Sequence, residues 1–248
     1  MNSRYEYRAL LAFDIASSAG RGEERLQEIR RTLRAALFGS LDVAALNPKA
    51  FLHTDTGDGF QLVAPSGLLK ARLLFPLLPE LSARICTHNQ QARPDTQLRV
   101  RVALHAGEIR IDPKGAVSGA PFEPLARLLD SAPLRQAVRT APSGTPVTAV
   151  LSQHYYEETV VHGYEGLQAD AFTAADVQVK EYAARAWLWY PGSPVGPRCD
   201  PAEDFPSGPG TPDPEPAGAQ QIVRASDHGT AYTVQHGAQH IHHYRQGQ

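Results

Sequence analysis

The sequence predicts an α+β domain over residues 4–190, a mixed sheet with helices on one face, followed by a disordered C-terminal tail. Three observations carry this expectation. Apolar runs of strand length alternate with stretches of helical spacing, in the order β-α-β-β-α-β-α-(α)-β-α-β-β. Two of the short runs flank Asp55-Thr56-Gly57-Asp58-Gly59, whose glycines admit the positive φ of a hairpin turn. Composition then changes abruptly after Trp187-Leu188-Trp189-Tyr190, where Pro, Gly, Asp, Glu and Ser take over.

Taken in order, residues 7–13 are an apolar run ending at Asp14, as a buried strand does. Residues 23–37 carry Leu26, Ile29, Leu33 and Leu37 at the spacing of an amphipathic helix. Residues 51–54 and 60–63 are the hairpin strands. The stretch 68–92 is helical in pattern, with Pro76 and Pro79 expected to kink or break it. Residues 98–105 alternate like a strand, and 122–129 and 134–138 read as helices. Residues 147–151 form a short strand, 152–160 a helix opened by Ser152, and 176–180 and 184–189 a closing pair of strands.

The bulk properties narrow the function classes. Of the 248 residues 42% are hydrophobic, enough for a core, and the formal charge of -2 gives no electrostatic reason for binding nucleic acid or an anionic membrane. No apolar run has membrane-spanning length, and the N-terminus lacks the order of a secretory signal. Cys86 and Cys199, far apart in sequence, argue against a disulfide framework and for a reducing cytoplasm. Residues 191–219 read as a Pro/Gly-rich spacer, and 220–248, where β-branched and aromatic residues return, as a separate short element.

Two acids stand out as candidates for chemistry. Asp14 sits where the first strand runs into a small-residue loop before a helix, and Asp58 sits in the hairpin turn. Taken singly, each also reads as a turn or cap residue. Together, at one edge of a sheet, such hard oxygen donors suit Mg²⁺ or Mn²⁺ bound with a substrate's phosphates. The loop after Asp14 offers backbone N–H groups to phosphate oxygens at the start of a helix.

Four segments in order extend this pattern: Phe13-Asp14-Ile15-Ala16-Ser17-Ser18, Thr56-Gly57-Asp58-Gly59-Phe60, Val102-Ala103-Leu104-His105-Ala106-Gly107-Glu108, and the run from Val117 through Gly119, Phe122 and Glu123 to Arg127-Leu128. In sequence and in order they resemble the motifs of class III adenylyl and guanylyl cyclases. The resemblance implies a ferredoxin-like βαββαβ core with extensions, working as a homodimer whose active sites lie at the subunit interface. It implies a nucleoside triphosphate as substrate, two Mg²⁺ or Mn²⁺ ions per site, and a 3′,5′-cyclic nucleotide and pyrophosphate as products. Asp14, Ile15 and Asp58 fall at metal-binding positions, Arg127 at the arginine that stabilises the α-phosphate, and Lys180 at a lysine for the terminal phosphates. Lys180 also reads as a solvated strand-edge lysine, and Arg127 as a helix-surface arginine.

The chain departs from the family in three places. Glu123 stands where the ribose-orienting asparagine is usual, so a carboxylate faces a triphosphate unless it is paired or protonated. Thr54 and Ala116 occupy the base-recognition positions and match neither the adenine nor the guanine code. Ser17-Ser18 replaces an aromatic-threonine pair. Small, uncharged base-site residues are compatible with a pyrimidine, and the compact domain resembles the divergent pyrimidine cyclases of bacterial anti-phage signalling. Residues 222–244 alternate polar and apolar around Val234-Gln235-His236-Gly237, similar to short amyloid-like signalling motifs that recruit an effector protein. A metal site at His236, His240, His242 and His243, or a merely disordered tail, are the competing readings. Two functions follow: a nucleotide cyclase, or a catalytically inactive adaptor of the same fold whose tail recruits the effector.

Overall fold

The computed structural model describes residues 3–18, 20–57, 59–193 and 196–197. The chain divides into a compact unit, Met1–Ala202, and Glu203–Gln248, which lies outside the described residues together with the expected interaction motif. The elements are β1 (Arg4–Ile15), α1 (Glu23–Val43), β2 (Leu52–Asp55), β3 (Gly59–Val63), α2 (Leu77–Gln91), β4 (Val100–Ile111), β5 (Val117–Ser118), α3 (Phe122–Leu129), α4 (Ala132–Thr140), β6 (Val147–Ser152), α5 (Gln153–Glu157), β7 (Phe172–Val179) and β8 (Tyr182–Trp189). The strands form one mixed sheet in the order β2-β3-β1-β4-β6-β8-β7, with β5 on the end of β4. Among the described residues only β4 and β6 pair in parallel.

The α+β class stands, but the layering differs from the expectation of helices on one face. Along β1, Ala9, Leu11, Phe13 and Ile15 join one core cluster and Leu10 and Ala12 another, because a strand's side chains alternate between faces. On the first face lie α1, α2 and α5, through Ile29, Leu33, Leu37, Leu81 and Tyr155. The second is covered by α3 and α4, through Leu125, Leu128, Leu134 and Ala137. A central strand buried on both sides shows no polar alternation, which is why residues 7–13 read as one apolar run.

Local sequence sets the boundaries. The stretch 68–92 breaks as expected at proline, into a 3₁₀ turn at Lys70–Leu73 and then α2. Pro79 falls in the first turn of α2, where its missing N–H leaves no bond unmade. Ser152 caps α5, its Oγ accepting from the Tyr155 N–H at 3.1 Å. Packing continues past the boundary expected at residue 190: Tyr190 donates its hydroxyl to the Ala137 carbonyl at 2.7 Å, and Pro191 and Pro197 are buried. On β8, Trp187 stacks on Tyr156 with ring centroids 3.8 Å apart and 5° between planes. Its indole N–H donates to Gln153 Oε1 at 2.7 Å.

Candidate active site

Antiparallel pairing places Asp14, near the end of β1, directly opposite Arg101 on β4. Directly opposed residues share a face, so the two side chains meet. Arg101 Nε donates to Asp14 Oδ2 at 2.7 Å, and a second guanidinium nitrogen bonds the same oxygen. Only 12% of the Asp14 side chain and 17% of the Arg101 side chain are exposed, so the pair is largely shielded from water. Arg101 was not among the residues expected from sequence. Its signal was the register: it stands on the strand that pairs with the acid-ending strand.

On its other side Asp14 pairs with Gly59 of β3. A Cβ on Gly59 would lie 1.8 Å from the Phe13 carbonyl oxygen, so only glycine permits β1 and β3 to approach this closely. The residue that follows Asp58 is thereby fixed beside Asp14; Asp58 itself lies outside the described residues. Ile15 is buried in the core, so it can offer a cation only its backbone carbonyl. Gln61 pairs with both Ala12 and Thr54, which puts exposed Thr54 on the same sheet face as Asp14.

The loop after Asp14 is held by Arg21, which donates to the Ser17 carbonyl at 2.8 Å and the Gln97 carbonyl at 2.7 Å. Ser17 adopts φ 57°. The start of α1 fits the anion expectation poorly: Gly22 supplies no side-chain cap, and Glu23 and Glu24 occupy the first turn. A phosphate contact in this region therefore falls to the loop itself, at Ser17 and Ser18, rather than to the helix end.

The remaining predicted residues lie elsewhere in the same chain. Ala116 is exposed in the turn after β4, its N–H donating to Asp112 Oδ1 at 2.8 Å. Ile111 and Arg101 stand at opposite ends of β4, about 30 Å apart at strand rise. Glu123 and Arg127 sit on α3, and Arg127 Nη2 lies 3.2 Å from Glu123 Oε1. The Arg127 Nε atom is buried without a partner. Lys180 is exposed at the tip of the β7–β8 hairpin with φ 54°, three strands beyond β4 towards the far edge of the sheet. One chain therefore unites Asp14, Arg101, Thr54 and the Asp58 hairpin, and separates them from Lys180 and Ala116.

A second polar cluster, not foreseen from sequence, lies at the opposite end of β1. The Tyr7 hydroxyl is 2.8 Å from Glu158 Oε2 and 2.5 Å from His154 Nε2, and Lys70 Nζ is 3.2 Å from the same carboxylate. His105 Nδ1 is 2.8 Å from Ser152 Oγ. Burial alone would raise the Glu158 carboxyl, but the bonds from Tyr7 and Lys70 and the charges of Lys70 and His154 outweigh it. The carboxyl is held below its ordinary 4.5. Burial and then His154 lower His105 below its ordinary 6.5, against the pull of Glu158. Both groups titrate lower when folded, so each adds stability above its unfolded value that is lost as pH falls: from 6.5 for His105 and from 4.5 for Glu158. Melting temperatures measured from about pH 3 to 8 should fall on acidification in both windows. The Glu158→Gln variant should keep the fall that begins near 6.5 and show a shallower one below 4.5.

No protein-family model and no curated protein sequence matches the chain. Solved structures do. The adenylate/guanylate cyclase/hydrolase from Silicibacter pomeroyi is similar at 19% identity and a TM-score of 0.54, over 77% of this chain and 99% of that one. The guanylyl cyclase Cya2 follows at 14% and 0.52, over 76% and 93%. A bacterial light-regulated adenylyl cyclase aligns at 11% and 0.53, over 75% of this chain and 53% of that one. The two-layered helix cover, the sheet order and these likenesses lead to one statement: the chain has the fold of adenylate and guanylate cyclase domains.

Proposed function

We propose that the chain is a nucleotide cyclase that converts a nucleoside triphosphate to a 3′,5′-cyclic nucleotide and pyrophosphate, acting as a homodimer. The observation that carries this is the register that sets Asp14, Arg101 and the Asp58 hairpin together at one end of the sheet. In the reaction the ribose O3′–Pα bond forms, the bond from Pα to the oxygen bridging to Pβ breaks, and the hydroxyl proton departs. Asp14, the Ile15 carbonyl and Asp58 are hard oxygen donors that would hold Mg²⁺ or Mn²⁺. When bound, such ions lower the pKa of the attacking hydroxyl and neutralise the leaving pyrophosphate. Arg101 acts as an exchangeable counter-ion: it holds the Asp14 carboxylate in place and turns to the polyphosphate when the carboxylate takes a cation. Thr54 and Ala116, short and uncharged, match neither purine code and are compatible with a pyrimidine.

Since Lys180 and Ala116 stand far from Asp14 in one chain, a second copy supplies them, with Arg127 and Glu123, to a shared site. Purified protein given each of the four triphosphates with Mn²⁺ should yield one cyclic product by mass spectrometry, and that product names the base. Asp58→Ala and Arg127→Ala should each lose about a hundredfold or more in rate. Mixed together they should regain part of it, because one of the two sites at a heterodimer's interface is intact. Absence of any cyclic product, or no recovery in demonstrated heterodimers, would overturn the corresponding part of the proposal. The tail's resemblance to signalling motifs supports a place in bacterial signalling or defence, with an effector as partner.

One observation favours the non-catalytic reading: Glu123 ion-pairs with Arg127, the residue wanted at the α-phosphate. The pair is one turn apart on α3 and the Glu123 side chain is 69% exposed, so it is weak and a triphosphate can displace it. Glu123→Asn frees Arg127 and removes a negative charge. In an adaptor, calorimetry should show nucleotide binding tightened by several-fold with no product from either protein.

A further inference from the structure

We propose that the cleft between α1 and the β2–β3 hairpin is a binding site for a phosphate oxyanion, either a phosphate ester or a diphosphate. The cleft encloses about 480 Å³ and is lined by Gln27, Arg30, Arg31 and Arg34 of α1, with Asp55 and the two turn glycines opposite. Positions 27, 30, 31 and 34 form one stripe along the helix, beside the core stripe of Ile29, Leu33 and Leu37. Among the described lining residues, three guanidinium groups thus face one carboxylate. Arg34 Nη2 bonds Asp55 Oδ1 at 2.5 Å and lies 3.2 Å from His53 Nε2. Among the described residues no carboxylate pairs with Arg30 or Arg31. The Nε of Arg30 is buried with no hydrogen-bond partner, a donor that an oxyanion in the cleft would satisfy.

The chemistry selects phosphate over other anions. Planar guanidinium forks match the tetrahedral oxygens of phosphate in pairs, and two arginines with no ion-pair partner among the described residues favour an anionic ligand. Phe60 on the cleft floor is 5% exposed and packs against Phe13, so it offers little stacking surface; recognition falls on the anion rather than on an aromatic base. The cleft shares the β2–β3 hairpin with the proposed active site but opens on the opposite face of the sheet. Asp55 pairs with Phe60, whose ring joins the core under α1, whereas Asp14 and Arg101 lie on the sheet's other face. The proposal therefore does not depend on the cyclase reading. Occupancy loosens the Arg34–Asp55 contact, since the ligand competes with Asp55 for the same fork.

Calorimetry on the full chain in EDTA, titrated with inorganic phosphate, pyrophosphate and a nucleoside monophosphate, tests this. Pyrophosphate should bind at low salt, and binding should weaken as salt is added. Arg30→Gln and Arg31→Gln should each weaken it about tenfold. Asp55→Asn, an exposed substitution, should tighten it several-fold by releasing Arg34. A monophosphate that outbinds inorganic phosphate points to an esterified ligand, and the reverse to a free anion. The site is refuted if none of the three anions binds. It is equally refuted if folded Arg30→Gln binds like wild type. Should Arg30→Gln fail to fold, Asp55→Asn decides, because unchanged affinity there also refutes the site.

Discussion

Replacing Asp14 by alanine is expected to lower the unfolding free energy by about 3 kcal/mol and to abolish cyclic nucleotide formation. The first effect arises because Arg101, 17% exposed at its side chain, would keep its charge and lose the carboxylate that accepts two of its donors. The second arises because a cation ligand is lost. A double-mutant cycle separates the two: Asp14→Ala with Arg101→Met should recover a large part of the stability and none of the activity. Asp14→Asn, which keeps an acceptor, should fold well and remain inactive. Urea unfolding that puts Asp14→Ala within about 0.5 kcal/mol of wild type would contradict the account of the pair.

Gly59→Ala is expected to cost about 3 kcal/mol or more, the largest effect of any single added methyl group on the hairpin. The new Cβ would meet the Phe13 carbonyl oxygen at 1.8 Å, and that atom is backbone, which cannot swing aside as a side-chain tip can. Relief requires β1 and β3 to part where Asp14 pairs with the hairpin, so the site is dismantled along with the strand pairing. Urea unfolding and the product assay should fall together. A variant that is stable but inactive would mean that the hairpin moves without the sheet, contrary to this expectation.

Much of this was legible in the sequence, for identifiable reasons. The apolar run ending at Asp14, the Gly-flanked turn and the helix over residues 122–129 are local signals, and each element stands where those signals put it. The helix cover on both sheet faces was missed because pattern reveals how buried a strand is, not which later helix buries it. Arg101 was missed because pairing register is a non-local property, and nothing in residues 98–105 marks one arginine as facing Asp14. The polar cluster of Tyr7, Lys70, His105, His154 and Glu158 draws on four distant segments, so no window along the chain contains it.

Both tryptophans of the chain, Trp187 and Trp189, belong to β8, and one of them is stacked on Tyr156. Intrinsic fluorescence is therefore an optical reporter of a single strand, separated from β1 by β6 and β4. An emission change follows the seating of residues 182–189 and is blind, at about 14 Å across the sheet, to events around Asp14. During synthesis the same placement means that β6 gains its second neighbour only after β8 has left the ribosome. Until then the growing sheet ends at an open β6 edge, and the change in tryptophan emission times its closure.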